Sequence, residues 1–369
     1  MTGFPRHEET LPMLRIGGGI MVAASSYLAD RVVPAPEIIH LPPIAVGREG
    51  ALVLESGPGV ARATKTRPGG LRGLARRLLG RDTPSTPIEA PDGRMVFDLR
   101  TRSPENWAHF LNNHLPLVFH ACDVAGLDWN QTLLALPART PGHILKAAAL
   151  FGFETLATDA PVSGRVVRFS AEPWIAIRSR RADWARLPAV DAALRAAGVR
   201  GGPEDGTGAG RRVFISRRDS RKLANEAEVM ALLTARGHTR IYAEDLTPAE
   251  QMRLVEEAEE IVAIHGAALA PLLYRSGGAR LRRLVELFPC GHVTNVYRAM
   301  AEQVGVEWIG VRGRIRPEHI APAYDFSKPF DRYSLQDFEI DPAALETAFD
   351  LLDGADVAGR AQASTGEAS

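Results

Sequence analysis

The chain has 369 residues, 45% hydrophobic and 24% charged, which is long enough for two domains with their own cores. Lysine plus arginine equals aspartate plus glutamate, 44 of each, so no net field argues for a nucleic-acid partner. Two cysteines, Cys122 and Cys290, give neither metal-ligand spacing nor a disulfide framework, and they fit a reducing compartment.

Residues 1 to about 100 are rich in proline and glycine, and short apolar runs at Ala51–Leu54 and Met95–Phe97 predict small strands and turns. The run Ile16–Ala29 holds three glycines and two serines and is too short to span a bilayer. It follows His7, Glu8 and Glu9, unlike the basic start of a signal peptide. A soluble, cytoplasmic chain is expected. Peripheral membrane attachment stays open through the basic stretch Arg72–Arg81 (RGLARRLLGR), for which a solvated loop helix is the plainer reading.

Residues 104–126, PENWAHFLNNHLPLVFHACDVAG, predict a helix with Ser103 as N-cap and an interruption at Pro116. TLLALP and ETLATD then read as strands, with PGHILKAAALFG as a helix between them. Residues 198–210, GVRGGPEDGTGAG, read as a linker. The expected domains are 1–200, 201–330, and a closing helix and tail over 331–369.

Beyond the linker the strands RRVFISRR, HTRIYAED, EEIVAIHG, LRRLVELFP and VEWIGVRGR alternate with helices, as in a Rossmann-type α/β domain. Thr247, Pro248 and Glu250 form a capping box at one helix start. In the tail, Pro317, Pro322 and Pro329 precede a last helix near Pro342–Asp353.

Four clusters fall at predicted strand ends, where open α/β sheets bind ligands. Arg217, Arg218 and Arg221 lie in SRRDSRKLANE, and guanidinium groups suit phosphate, although a solvated basic turn also explains them. His265, Gly266, Ala267 and Ala268 join an imidazole to the first amides of a helix, a place that favours anions; a histidine satisfied in the core is the alternative. Glu286 interrupts an apolar strand, and a ribose diol or a salt bridge to Arg283 would partner it. Thr294 and Asn295 face the same end, or simply cap the next helix. No GxGxxG opens the domain, which argues against NAD or FAD, and neither a P-loop nor a convincing DxD metal motif is present; DFEID near Asp337 reads as a solvated turn.

These stretches, in order, resemble glycosyltransferase family 61. Arg218, Arg221, Asn225, Glu226, Gln251, Ala258, His265, Gly266, Ala267, Leu269 and Glu286 fall on the family pattern, and NWAHFLNNHLP adds Asn106, His109, Leu115 and Pro116. The resemblance covers roughly residues 95–315. It implies a GT-B fold, two Rossmann-like domains with a cleft between them, and transfer of a sugar from a nucleotide donor, usually a UDP-sugar, to a glycan acceptor with inversion and without a metal or other cofactor. On that reading Arg217, Arg218 and Arg221 bind the diphosphate, with Arg218 stabilising it as leaving group. Asn225, Glu226, His265 with the amides after it, Glu286, Thr294 and Asn295 complete the donor side. His109 takes the acceptor proton or positions the acceptor, between Asn106 and Asn113.

Two departures from the pattern stand out. The family's aspartate is Asn113 here, which leaves Asp123 or Glu105 as substitutes, and the HGAGL-T-N stretch becomes HGAAL-A-P through Ala268, Ala270 and Pro271. The expectation is an inverting glycosyltransferase of surface-polysaccharide assembly; the alternative is a non-catalytic nucleotide- or glycan-binding subunit, supported by Asn113.

Overall fold

The computed structural model describes residues 4–24, 27–28, 31–32, 36–63, 86–172, 174–201, 211–314 and 335–366. The basic stretch Arg72–Arg81, most of the glycine-rich linker, and Pro317, Pro322 and Pro329 lie outside the described residues. The fold is mixed α/β with parallel-rich sheets, and the chain divides into two discontinuous compact units.

The first unit comprises Met1–Arg15, Ala45–Pro203 and Thr247–Met252. Its sheet runs in the order His7–Leu11, Gly50–Ala61, Val162–Glu172, Met95–Asp98, Thr132–Leu136, Glu154–Ala157. The last four strands are parallel, whereas the first two add antiparallel pairings, so this sheet is mixed rather than uniformly Rossmann-like. Thr132–Leu136 is buried along its whole length and Met95–Asp98 up to Phe97, with Val96, Phe97, Leu134 and Ala135 fully so, as parallel strands covered on both faces require.

The helix expected from residue 104 begins at Trp107 and ends at Ala125. Asn106, not Ser103, is its N-cap: Asn106 Oδ1 accepts from the amides of Ala108 and His109 at 3.0 and 3.2 Å. Ser103 has φ +55°, a left-handed turn position from which it does not cap. Pro116 cannot donate into the preceding turn, and the interruption takes the form of a π-helical segment, Phe110–His114. Gly126, at φ +60°, closes the helix in the left-handed region.

The second unit comprises Ile16–Ile44, Glu204–Leu246 and Arg253–Ser369. Its sheet runs in the order His238–Tyr242, Arg211–Ser216, Ala258–Ile264, Arg283–Phe288, Glu307–Arg312, Gly19–Ala23, Glu37–Leu41. All pairings are parallel except the last. The strand after the linker therefore sits inside the sheet, with the next strand on one side and the third on the other. Strand order reverses between Arg211–Ser216 and Ala258–Ile264, which is the switch point where such sheets open a crevice at their carboxyl ends.

The capping box forms: Thr247 N donates to Glu250 Oε2 at 2.7 Å, and Glu250 N to Thr247 Oγ1 at 3.3 Å. The closing helix, Pro342–Gly366, lays Ala344, Leu345, Ala348, Phe349 and Leu352 on Phe214, Val262, Val285, Leu287, Ile309 and Val311 of the sheet. Among the described residues no helix is long and apolar enough to cross a membrane.

Because Leu345 is fully buried in that cluster, Leu345→Ala should cost about 2–5 kcal/mol of stability, read as a lower urea midpoint.

Candidate functional site

The switch point is built by two strand ends. Ser216 ends one strand and leads into Arg217–Arg221; Ile264 ends the other and leads into His265 and Gly266. His265 N donates to Leu287 O at 2.8 Å, which carries the ladder one residue past the strand. The His265 carbonyl accepts from Arg221 Nη1 at 2.8 Å and from Arg217 Nη1 at 3.5 Å. Arg217 is braced by its Nε on Ser220 O at 3.0 Å. Two guanidinium groups thus converge on the histidine that sequence reasoning singled out.

Arg221 is buried and sits at φ +65°, a conformation that costs a residue with a side chain about 1–3 kcal/mol. Burial, and then the charge of Arg217, pull its pKa down to about 10, with Tyr297 opposing them. An anion placed between the two cations would relieve both effects.

The His265 ring is fixed by Glu286: Nδ1 lies 2.5 Å from Oε1. An ionised carboxylate only accepts, so Nδ1 carries the proton and Nε2 is left for chemistry. The ring stacks on Phe288 at 5.1 Å and meets His292 and Tyr297 at 5.2 and 5.6 Å between centroids. The second Glu286 oxygen accepts from Trp308 Nε1 at 2.7 Å. Gly310, opposite Glu286 in the next strand, makes that reach possible, since an added Cβ would meet the Trp308 ring at 2.9 Å.

Glu286 is fully buried with both oxygens occupied, so the geometry makes it the group that orients His265 rather than one exposed to a ribose. The expected alternative, a salt bridge to Arg283, does not form either: Arg283 turns to Glu260, Asp353 and the Leu352 carbonyl.

Arg218 goes elsewhere. It makes a two-point contact with Asp245, both at 2.5 Å, and its guanidinium lies 3.9 Å from the centre of the Tyr242 ring. Asn225 bridges to the backbone of Ile340 through both side-chain atoms, and Glu226 accepts from Ser216 and Arg240. These two tie the turn to its surroundings.

Gly266 is required by close approach: a Cβ there would run into Arg217 Nη1. The segment after it, Ala267–Tyr274, is 3-10 rather than α-helical, with Pro271 inside it, whose ring would clash with the carbonyl four residues back in an α-helix. Ala267 and Ala268 open this segment, where amides have no acceptor within the helix. Asn295 takes the N-cap position of Val296–Val304 without a side-chain capping bond, and Thr294 Oγ1 is buried with no hydrogen-bond partner.

In the first unit, His109 is exposed on the first turn above the Asn106 cap. Among the described residues it has no carboxylate partner, and Asn113 occupies the half-buried position where the pattern has aspartate. The loop before Asn106 holds Arg102 and Ser103 at φ +57° and +55°, with the Arg102 guanidinium 4.7 Å from the Trp174 ring. Both candidate regions therefore contain left-handed residues other than glycine, a signal absent from residue type alone. His114, in the π-helical segment, is fully buried. Burial lowers its pKa from 6.5 to about 4, against a bond to the Arg102 backbone that raises it.

The family model described as Glycosyltransferase 61 matches residues 107–281, a span running from the His109 helix through the arginine turn and His265. No curated protein matches the chain.

Glu286→Ala should leave the buried imidazole unpartnered and cost about 1–3 kcal/mol, measurable by urea unfolding. The unfolded chain protonates His114 before the folded one does. Stability should therefore fall as pH drops from 6.5 to about 4, by up to about 3 kcal/mol, and His114→Leu should flatten that slope.

With the elements, the converging arginines and the oriented histidine in place, the match over residues 107–281 supports glycosyltransferase family 61 for this chain and suggests glycosyltransferase activity.

Proposed function

We propose that the chain is an inverting, metal-independent glycosyltransferase of GT-B type that uses a nucleotide-sugar, a UDP-sugar in the first instance, and a glycan acceptor. The observation that carries the reading is the convergence of Arg217, Arg221 and His265 at the strand-order reversal. Two cations and free helix-start amides in one crevice suit a diphosphate, whose charge grows as the sugar departs.

On this reading Arg217 and Arg221 hold the diphosphate, and Arg218 reaches it only by leaving Asp245. With Nδ1–H tied to Glu286, His265 Nε2 accepts from a sugar hydroxyl as the neutral ring, and donates to the leaving phosphate only as the imidazolium. His109 acts on the acceptor hydroxyl, as general base or as positioning group. The family and the absence of a long apolar helix among the described residues suit assembly of a surface polysaccharide on the cytoplasmic side of a membrane.

Asn113 favours a second reading, a binding subunit without turnover, because no carboxylate partners His109 among the described residues. Calorimetric titration with UDP, GDP and CMP, with and without EDTA, tests the first reading, and UDP-sugar turnover then separates the two.

UDP should bind with or without EDTA, and Arg217→Ala or Arg221→Ala should weaken it by about 1.5–3 kcal/mol, the value of a charged hydrogen bond. His109→Ala should abolish turnover while leaving the UDP dissociation constant unchanged. Loss of UDP binding in His109→Ala, or none in the arginine variants, would overturn these assignments.

A further inference from the structure

His7 and Glu9 stand two residues apart on the strand His7–Leu11, so their side chains share a face. His120, from the helix Leu115–Ala125, meets that face. One nitrogen or oxygen from each of the three residues lies within 4.8 Å of the others. His120 is buried, and its ring lies flat against Trp184, with centroids 4.4 Å apart and planes 8° apart, which fixes its direction.

The atoms that face one another are buried and incompletely paired. Glu9 Oε1 lies 2.8 Å from His120 Nε2 and pairs with it, whereas His7 Nε2 has no hydrogen-bond partner and stands 4.0 Å from Glu9 Oε2. Leaving a buried ring nitrogen unpartnered is costly, and one His–Glu contact does not use up the donor atoms gathered here. One cation at their centre would satisfy all three.

Two imidazoles and a carboxylate are the donors of a zinc site, whereas magnesium and calcium prefer oxygen alone. Zinc ligands at about 2.0–2.2 Å in tetrahedral array stand about 3.4 Å from one another. The close pair must open slightly and His7 must move in, which its partly exposed side chain permits. Three protein ligands leave a fourth position for water.

We propose that His7, Glu9 and His120 form a zinc site that clips the N-terminal strand onto the helix running on from His109. The site shares no residue with the arginine cluster, so its test reads metal binding and not nucleotide binding.

The test uses the full chain without an affinity tag, stripped with chelator and then titrated with Zn²⁺ by calorimetry and with Co²⁺ by absorption spectroscopy. One equivalent of zinc should bind in or below the micromolar range, cobalt should give the intense visible bands of tetrahedral coordination, and zinc should raise Tm. His7→Ala and Glu9→Gln should each weaken zinc at least tenfold and abolish the rise in Tm. His7 is partly exposed, so its variant should fold even if one at buried His120 does not. Substoichiometric binding by the wild type, or undiminished binding in both variants, would overturn the proposal.

Discussion

The second unit is organised around one buried contact, Glu286 to His265. A carboxylate inside a fully buried strand such as Arg283–Phe288 is expensive unless both its oxygens are satisfied. One is satisfied by the imidazole and the other by Trp308 from the adjacent strand. The contact ties three neighbouring strands together, and the backbone of the same histidine then collects Arg217 and Arg221 from the turn after a fourth. Without the carboxylate the tautomer of the imidazole would be unspecified, whereas the carbonyl that anchors both guanidinium groups is held separately by the His265 amide on Leu287 O. Orientation of the reactive groups is therefore built into the strand ladder rather than left to the loops.

Much of this was legible in the sequence. Strand and helix alternation after the linker and the Thr247–Glu250 capping box are local signals, and the structure follows them. His265 could be placed at a strand end because four apolar residues precede it and a glycine follows. The rest depends on contacts distant in sequence. Nothing in Glu286 alone reveals that Gly310 clears space for Trp308, since this depends on the register of two strands. Nor do consecutive arginines reveal their directions: Arg217 and Arg218 are neighbours, yet one turns to the His265 carbonyl and the other to Asp245. The difference lies in turn backbone, including the left-handed Arg221, which no propensity encodes.

The first unit shows the same limits. Its helix was evident from apolar spacing, but Asn106 and Ser103 are both good capping residues, and only the left-handed Ser103 backbone decides between them. The π-helical segment is the fold's answer to a proline in a long helix, and it also changes which side chains turn inward. Asn112 and His114 are buried there, while His109 remains exposed. A polar pair such as Asn112–Asn113 reads as one patch in sequence; in the structure its members differ in burial.

The route of the chain through the two sheets has a consequence for how the protein is made. Gly19–Ala23 precedes its parallel neighbour Glu307–Arg312 by nearly three hundred residues of chain. Closing so long a loop costs little more entropy than closing a moderate one, but the early strand must wait with an unpaired edge until its partner is synthesised. Cutting the chain at the glycine-rich linker would give two incomplete products. The N-terminal piece would carry an orphan hairpin, and the C-terminal piece would expose Glu307–Arg312 as a hydrophobic edge ready to pair with another copy. Expressed halves are therefore poor substitutes for the intact chain, and co-expression of the two pieces is the arrangement this topology favours.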